Sequence, residues 1–104
     1  MKIYIGGLFQ GQEELARREN PEAEIVIDFE ALLRGVEDPA GFALDYYRAH
    51  PQSVIVANEI GSGIVPMDAG ERAWREAAGR ALCVLAQYAD QVTRAVCGIG
   101  VRIK

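Results

Sequence analysis

The first apolar run, IYIGG, ends in two glycines, and the loop that follows reads G-G-L-F-Q-G-Q-E. The spacing from Gly6 to Gly11, G-x-x-x-x-G, is that of a phosphate loop between a strand and a helix. Such a loop turns backbone N–H groups and the positive end of a helix toward phosphates. The next two positions of that motif carry Lys, to reach the β- and γ-phosphates, and Ser or Thr, to hold Mg²⁺. Here they are Gln12 and Glu13. Gln donates a hydrogen bond but carries no charge, and Glu13 adds a negative charge where phosphate charge would lie. Glu13 and Glu14 also read as first-turn acids complementing the helix dipole, worth about 0.3–1 kcal/mol. The motif alone leaves a nucleotide loop and a structural glycine turn equally open.

Other chemically capable residues fall at strand ends too. Asp28 ends the run EIVID. Asn58 and Glu59 follow SVIVA, with the Gly-rich stretch IGSGIVP behind them, and Gly98 and Gly100 follow TRAVC. Open parallel sheets bind ligands beyond the carboxyl ends of their strands, so these positions together mark a ligand crevice. Arg80 lies at the border of an apolar helix face. Its stem can lie on the core while its fork points at a phosphate or at a neighbouring acid. His50, in AHPQ, reads as a cation at a helix end or a solvated loop residue. Cys83 and Cys97 read as buried thiols, since one His cannot complete a metal set.

The elements that must position these groups alternate. Residues 2–5 form a short β-rich run. QEELARRE, residues 12–19, is helical and stops at Asn20-Pro21. Residues 24–28 read as a β-branched strand and 29–34 as a helical turn closing at Gly35. Asp38-Pro39 is an N-cap with Pro at the first helical position, opening a helix to about Ala49. Residues 53–57 are continuously apolar, the pattern of a strand covered on both faces. Asp68 with Glu71 makes an acidic capping box for the longest helix, residues 69–89. Trp74, Ala77, Ala78, Ala81, Leu82, Leu85 and Ala89 share one face of it, which reads as core. Residues 93–97 form a last parallel strand, and 101–103 an added edge. The order implies right-handed crossovers and a three-layer α/β fold with a parallel sheet. Ile3, Ile5, Ile25, Ile27, Val54, Val56 and Ala95 are expected in its core.

The 104 residues make one domain, 1–104, with a single core. Eleven Lys and Arg against fifteen Asp and Glu give a net charge of −4, with no basic run. Nucleic acid and anionic membrane are therefore poor partners. No apolar stretch reaches the roughly 20 residues of a membrane span, and the glycine-broken N-terminus does not read as a signal peptide. A soluble cytoplasmic protein is expected. So few helices leave apolar sheet uncovered, which points to a homo-oligomer.

From Val54 onward the chain resembles the adenosylcobinamide kinase/adenosylcobinamide-phosphate guanylyltransferase family of cobalamin biosynthesis. The motifs that carry the resemblance are NEIGSGIVP (58–66), REAAGR (75–80), YAD (88–90) and the terminal CGIGVRIK (97–104). IYIGGLFQGQ is similar to the family's strand and phosphate loop, and IVIDFEALLRG more loosely to its Walker-B strand and helix. The resemblance implies a P-loop NTPase-like α/β fold, reduced in size and commonly oligomeric. It implies Gly6, Gly7 and Gly11 as backbone phosphate contacts, with Gln12 and Arg80 beside the nucleotide. It implies Asp28 as the Mg²⁺-side acid, Glu59 as a base or holder of Mg²⁺ water, and Asn58, Gly61 and Gly63 as a substrate loop. Away from the resemblance, Glu59 reads as a polar strand-end residue capping the next turn. The implied activity uses GTP or ATP with Mg²⁺ to phosphorylate adenosylcobinamide, followed by guanylyl transfer through a histidine. Only residues 20–24 stand where the family carries that histidine's segment, and His50 does not take the role. With Gln12 and Glu13 in place of Lys and Ser/Thr, the expected activity is weakened. The other reading is a non-catalytic protein that binds nucleotide or corrinoid.

Overall fold

The computed structural model describes residues 1–59 and 68–104. The loop positions Gly61 and Gly63 lie outside the described residues. The elements are β1 (Lys2–Gly6), α1 (Gln12–Glu19), β2 (Ile25–Val26), a 3-10 turn (Phe29–Leu33), α2 (Pro39–Ala49), β3 (Val54–Asn58), α3 (Ala69–Tyr88), β4 (Gln91–Val96) and β5 (Ile99–Arg102). They build one five-stranded sheet in the order β2-β3-β1-β4-β5. The first four strands are parallel, and Gly6 stands in register with Asn58. All four therefore present their carboxyl ends along the same edge, where the first loop lies.

In place of the single core expected from the sequence, alternation along the strands separates two, one on each face of the sheet. Tyr4, Val54, Val56 and Ala95 face α1 through Leu15 and Ala16. Ile3, Ile55, Ala57 and Val92 face the opposite layer, made by the 3-10 turn, α2 and α3. That layer comes close because Ala77, Ala78 and Ala81, all buried, line the face of α3. Phe29 is fully buried and meets Tyr46 edge-on at 5.3 Å between ring centroids. The three layers are those the sequence implies.

Several expectations are corrected. The sheet is mixed, because β5 runs antiparallel to β4. The two strands are joined by Cys97 and Gly98, both at positive φ (52° and 77°), the backbone of a tight hairpin turn. Ile27 is 42% exposed: β2 pairs with β3 only through Ile25 and Val26, and Asp28 turns the chain out at φ 52°. Ile5 and Ile25 are half-buried. Cys83 and Cys97 are exposed free thiols, one on the outward face of α3 and the other in the hairpin turn.

The helix caps form as expected, with one difference. Asp38 accepts from Gly41 N–H at 3.0 Å. Asp68 accepts from Gly70 and Glu71 N–H at 2.6 and 3.2 Å. Glu71, however, does not close a capping box; its carboxylate binds the Arg34 guanidinium at 2.6 Å. Among the described residues no helix is long and apolar enough to cross a membrane.

Candidate functional site

The loop after β1 is fixed from three sides. Gly11, at φ 87°, opens α1, and a Cβ there would stand 3.2 Å from Gly98 Cα, so glycine suits both its backbone and its neighbour. Gln10 ties the loop to the β4–β5 turn: its backbone oxygen accepts from Gly98 N–H and its side-chain oxygen from Cys97 N–H, each at 2.8 Å. At the tip Phe9 sits at φ 60° and is 98% exposed, a conformation a bulky residue rarely adopts.

The third tie is Gln12. It is 5% exposed, and its Nε2 donates to Gly6 O and Gly7 O at 3.1 Å each and to Asn58 Oδ1 at 2.7 Å. A carboxamide has two N–H bonds, already shared among three acceptors. The side chain in the lysine position therefore closes the loop on itself and keeps no donor for a phosphate.

Asn58, opposite Gly6 at the end of β3, joins the loop to the acids. Its Nδ2 donates to Glu30 Oε2 at 3.0 Å and to Asp28 Oδ1 at 3.4 Å, and its backbone N–H to Glu30 Oε1 at 2.9 Å. Glu30 is 5% exposed. Its backbone oxygen accepts from Trp74 Nε1–H at 2.7 Å, and the Arg34 guanidinium lies 3.8 Å from the Trp74 ring centroid. Trp74 thus borders the core as expected while its N–H anchors the turn that carries Glu30.

A cavity of about 160 Å³ opens here, lined among others by Phe9, Gln12, Glu13, Glu14, Asp28 and Asn58. Gly11, Gln12, Asp28 and Asn58 are therefore brought together around one crevice, while Gly6 and Gly7 do not line it and join it only through the carbonyls that accept from Gln12. Glu59 lies beside it, its N–H on Gly6 O at 2.8 Å and its carboxylate 3.3 Å from Arg94 Nε. Glu13 is drawn along α1 to Arg17, at 3.1 Å. Arg80 stands elsewhere. It pairs with Glu76 at 2.6 Å and lines a separate groove beside Val36, Glu37 and Pro39. His50 ends α2, its ring 4.6 Å from that of Tyr46. Among the described residues no three His, Cys, Asp or Glu side chains converge as a metal-holding group. Mg²⁺ in nucleotide sites takes one or two carboxylates plus phosphate oxygens, and the exposed Asp28 on the rim fits that lesser part.

Nothing in the sequence singles out Glu30. An acid one turn after a strand reads as surface, and its partner lies 28 residues further along the chain.

A parallel strand that ends in a glycine loop, opens a helix and meets the polar end of its neighbouring strand defines a P-loop-like α/β domain. The family profile of cobinamide kinase / cobinamide phosphate guanyltransferase matches residues 34–103. The bifunctional adenosylcobalamin biosynthesis protein CobU of Salmonella typhimurium is 40% identical over 78 residues, covering 74% of this chain and 43% of that protein. Its Escherichia coli namesake is 46% identical over 57 residues, 55% of this chain and 32% of that protein. The chain belongs to the cobinamide kinase / cobinamide phosphate guanyltransferase family. The matches span less than half the length of these curated relatives. The profile takes in Asn58, Glu59, Arg80 and the terminal hairpin, and begins downstream of the glycine loop and Asp28.

Proposed function

We propose that this chain is a small cobinamide kinase-type domain of cobalamin biosynthesis. It binds a corrinoid and, weakly, a nucleoside triphosphate with Mg²⁺, and phosphoryl transfer to adenosylcobinamide is greatly reduced. The crevice at the carboxyl edge of the sheet is its binding site, with the glycine loop for phosphate, Asp28 on the metal side and Asn58 at the start of the substrate loop. The family match supports the substrate class. The saturated amide of Gln12 carries the loss of activity. Single preorganised contacts to transition-state charge are worth about 3–4 kcal/mol, and this loop lacks both the lysine and the Mg²⁺ hydroxyl. That same observation favours the second reading, a purely binding homologue in the cytoplasm.

Thermal unfolding with each ligand tests the proposal. Adenosylcobinamide at about 100 times its dissociation constant adds roughly 2.7 kcal/mol and raises the midpoint by roughly 10 °C or more. Millimolar ATP or GTP with Mg²⁺ is expected to shift it by only about 2 °C, as for a ligand near its dissociation constant. A melting point unmoved by all of them removes the binding reading.

Self-association belongs to the same proposal. Ile99, Val101 and Ile103 are 67%, 50% and 60% exposed, and alternate residues of an extended strand share one face. Val96, across the hairpin from Ile99, is 43% exposed. A second copy seated on this face hides it. Light scattering should give a multiple of 11.4 kDa, and Val101→Glu should reduce it to the single-chain mass. A parent protein of single-chain mass at micromolar concentration removes this part.

A further inference from the structure

The buried knot at the crevice contains two carboxamides and one carboxylate, and only the carboxylate is one-sided. Glu30 accepts from Asn58 through both oxygens, at 2.9 Å from the backbone N–H and 3.0 Å from Nδ2. An ionised carboxylate only accepts, whereas an amide offers a donor on one side and an acceptor on the other. Glu30, with the longer contact from Asp28 Oδ1 at 3.4 Å on the exposed side, therefore turns Asn58 Nδ2 toward the acids, which leaves Asn58 Oδ1 facing Gln12. That oxygen in turn requires a donor, so Gln12 presents Nε2, as Gly6 O and Gly7 O also require.

We infer that Glu30 is a positioning residue of the crevice: acting through Asn58, it sets the orientation of the Gln12 carboxamide and so the closure of the glycine loop. Its bearing on ligands rests on the crevice being the binding site; the relay itself does not.

Glu30→Gln places an extra donor in a knot that has no acceptor to spare. If the new amide nitrogen faces the Asn58 main chain, two donors meet. If it faces the Asn58 side chain, that amide must flip, and the conflict passes to Gln12 or to the carbonyls of Gly6 and Gly7. Adding Asn58→Asp resolves it. The amide oxygen at position 30 then accepts the main-chain N–H, and its nitrogen donates to the new carboxylate. The other oxygen of that carboxylate accepts from Gln12. The added charge lies near Asp28, which is exposed, so their repulsion is screened.

The experiment is hydrogen exchange of the Gln12 side-chain amide, followed by NMR on the full chain without ligand. Protection should fall about tenfold in Glu30→Gln, the loss of roughly one net hydrogen bond. It should return to near the parent value in the Glu30→Gln, Asn58→Asp double variant. A role resting only on the size or charge of Glu30 makes the double variant no better than the single one. Unchanged protection in Glu30→Gln, or a double variant no better than the single, overturns the inference. If Glu30→Gln does not fold, a double variant that folds by circular dichroism supports the relay, and one that does not overturns it. Since no nucleotide or corrinoid is present, a failure here is separate from a failure of ligand binding.

Discussion

Gln12→Glu is expected to destabilise the fold by about 3 kcal/mol at neutral pH, while Gln12→Lys leaves it within about 1 kcal/mol. The two variants put opposite chemistry into one nest. Gly6 O, Gly7 O and Asn58 Oδ1 all accept, and they surround a side chain only 5% exposed. A carboxylate there meets three acceptors without a donor of its own. An ammonium brings three N–H bonds to the same three oxygens. The glutamate variant also carries a pH signature. Its introduced carboxyl is held above its unfolded pKa, so the folded state binds the extra proton. The destabilisation is therefore smallest below the unfolded carboxyl range, near pH 4, and grows as pH rises through the folded value. Urea titrations of the three proteins between pH 4 and 8 measure both effects. A glutamate variant as stable as the parent at pH 7 shows that Gln12 is not held by this nest.

The fold was most legible where punctuation is local. Gly11 and Asn20-Pro21 bound α1, and Asp38-Pro39 starts α2, because caps and prolines act on the residues beside them. The unbroken apolar run of β3 correctly marked a strand covered on both faces. The sequence pattern misleads where a neighbour decides. Residues 24–28 look like a full strand, yet β2 is an edge whose ladder ends at Val26, and the chain turns away before Ile27 can be covered. The cysteines have core-type side chains, but one lies on the outer face of α3 and the other in a turn fixed by pairing with β4. At the site, the strand-end rule gathers the loop glycines, Asp28 and Asn58 on one edge. It says nothing of Glu30, whose burial depends on a turn folding under β3, nor of Arg80, which Glu76 one turn earlier draws to its own helix. Side-chain partners at long range are not encoded in spacing.

The terminal motif CGIGVRIK has a physical role on the loop side of the sheet. Its Cys97-Gly98 turn holds Gln10 through two hydrogen bonds, each at 2.8 Å, and Arg94 on β4 holds Glu59. The family-matched part of the chain thus supports the glycine loop, which the profile does not reach. Backbone donors of such a loop depend on glycine spacing rather than on side-chain charge. The phosphate role proposed for residues 6–11 therefore rests on their backbone and not on Gln12 or Glu13.

Restoring those two side chains should consequently restore affinity. The double variant Gln12→Lys, Glu13→Ser is expected to tighten Mg²⁺-nucleotide binding by at least about tenfold, since a charge-assisted hydrogen bond contributes roughly 1.5–3 kcal/mol. Lysine has three donors; two can keep the Gly6 and Gly7 carbonyls while the third turns from Asn58 to a phosphate oxygen. Serine supplies the hydroxyl that holds Mg²⁺ in such loops. Glu13→Ser alone should give the smaller part of the gain. The Glu13 carboxylate is 47% exposed and bound to Arg17, so its repulsion of phosphate is nearer the roughly 1 kcal/mol of two charges at 4 Å in water than the interior value. Titration calorimetry of the parent, the single variant and the double variant with ATP and GTP orders the three affinities. A double variant that is folded yet binds neither nucleotide more tightly than the parent shows that residues 6–11 are no phosphate site. Ligand binding then has to be sought along the stretch 58–66.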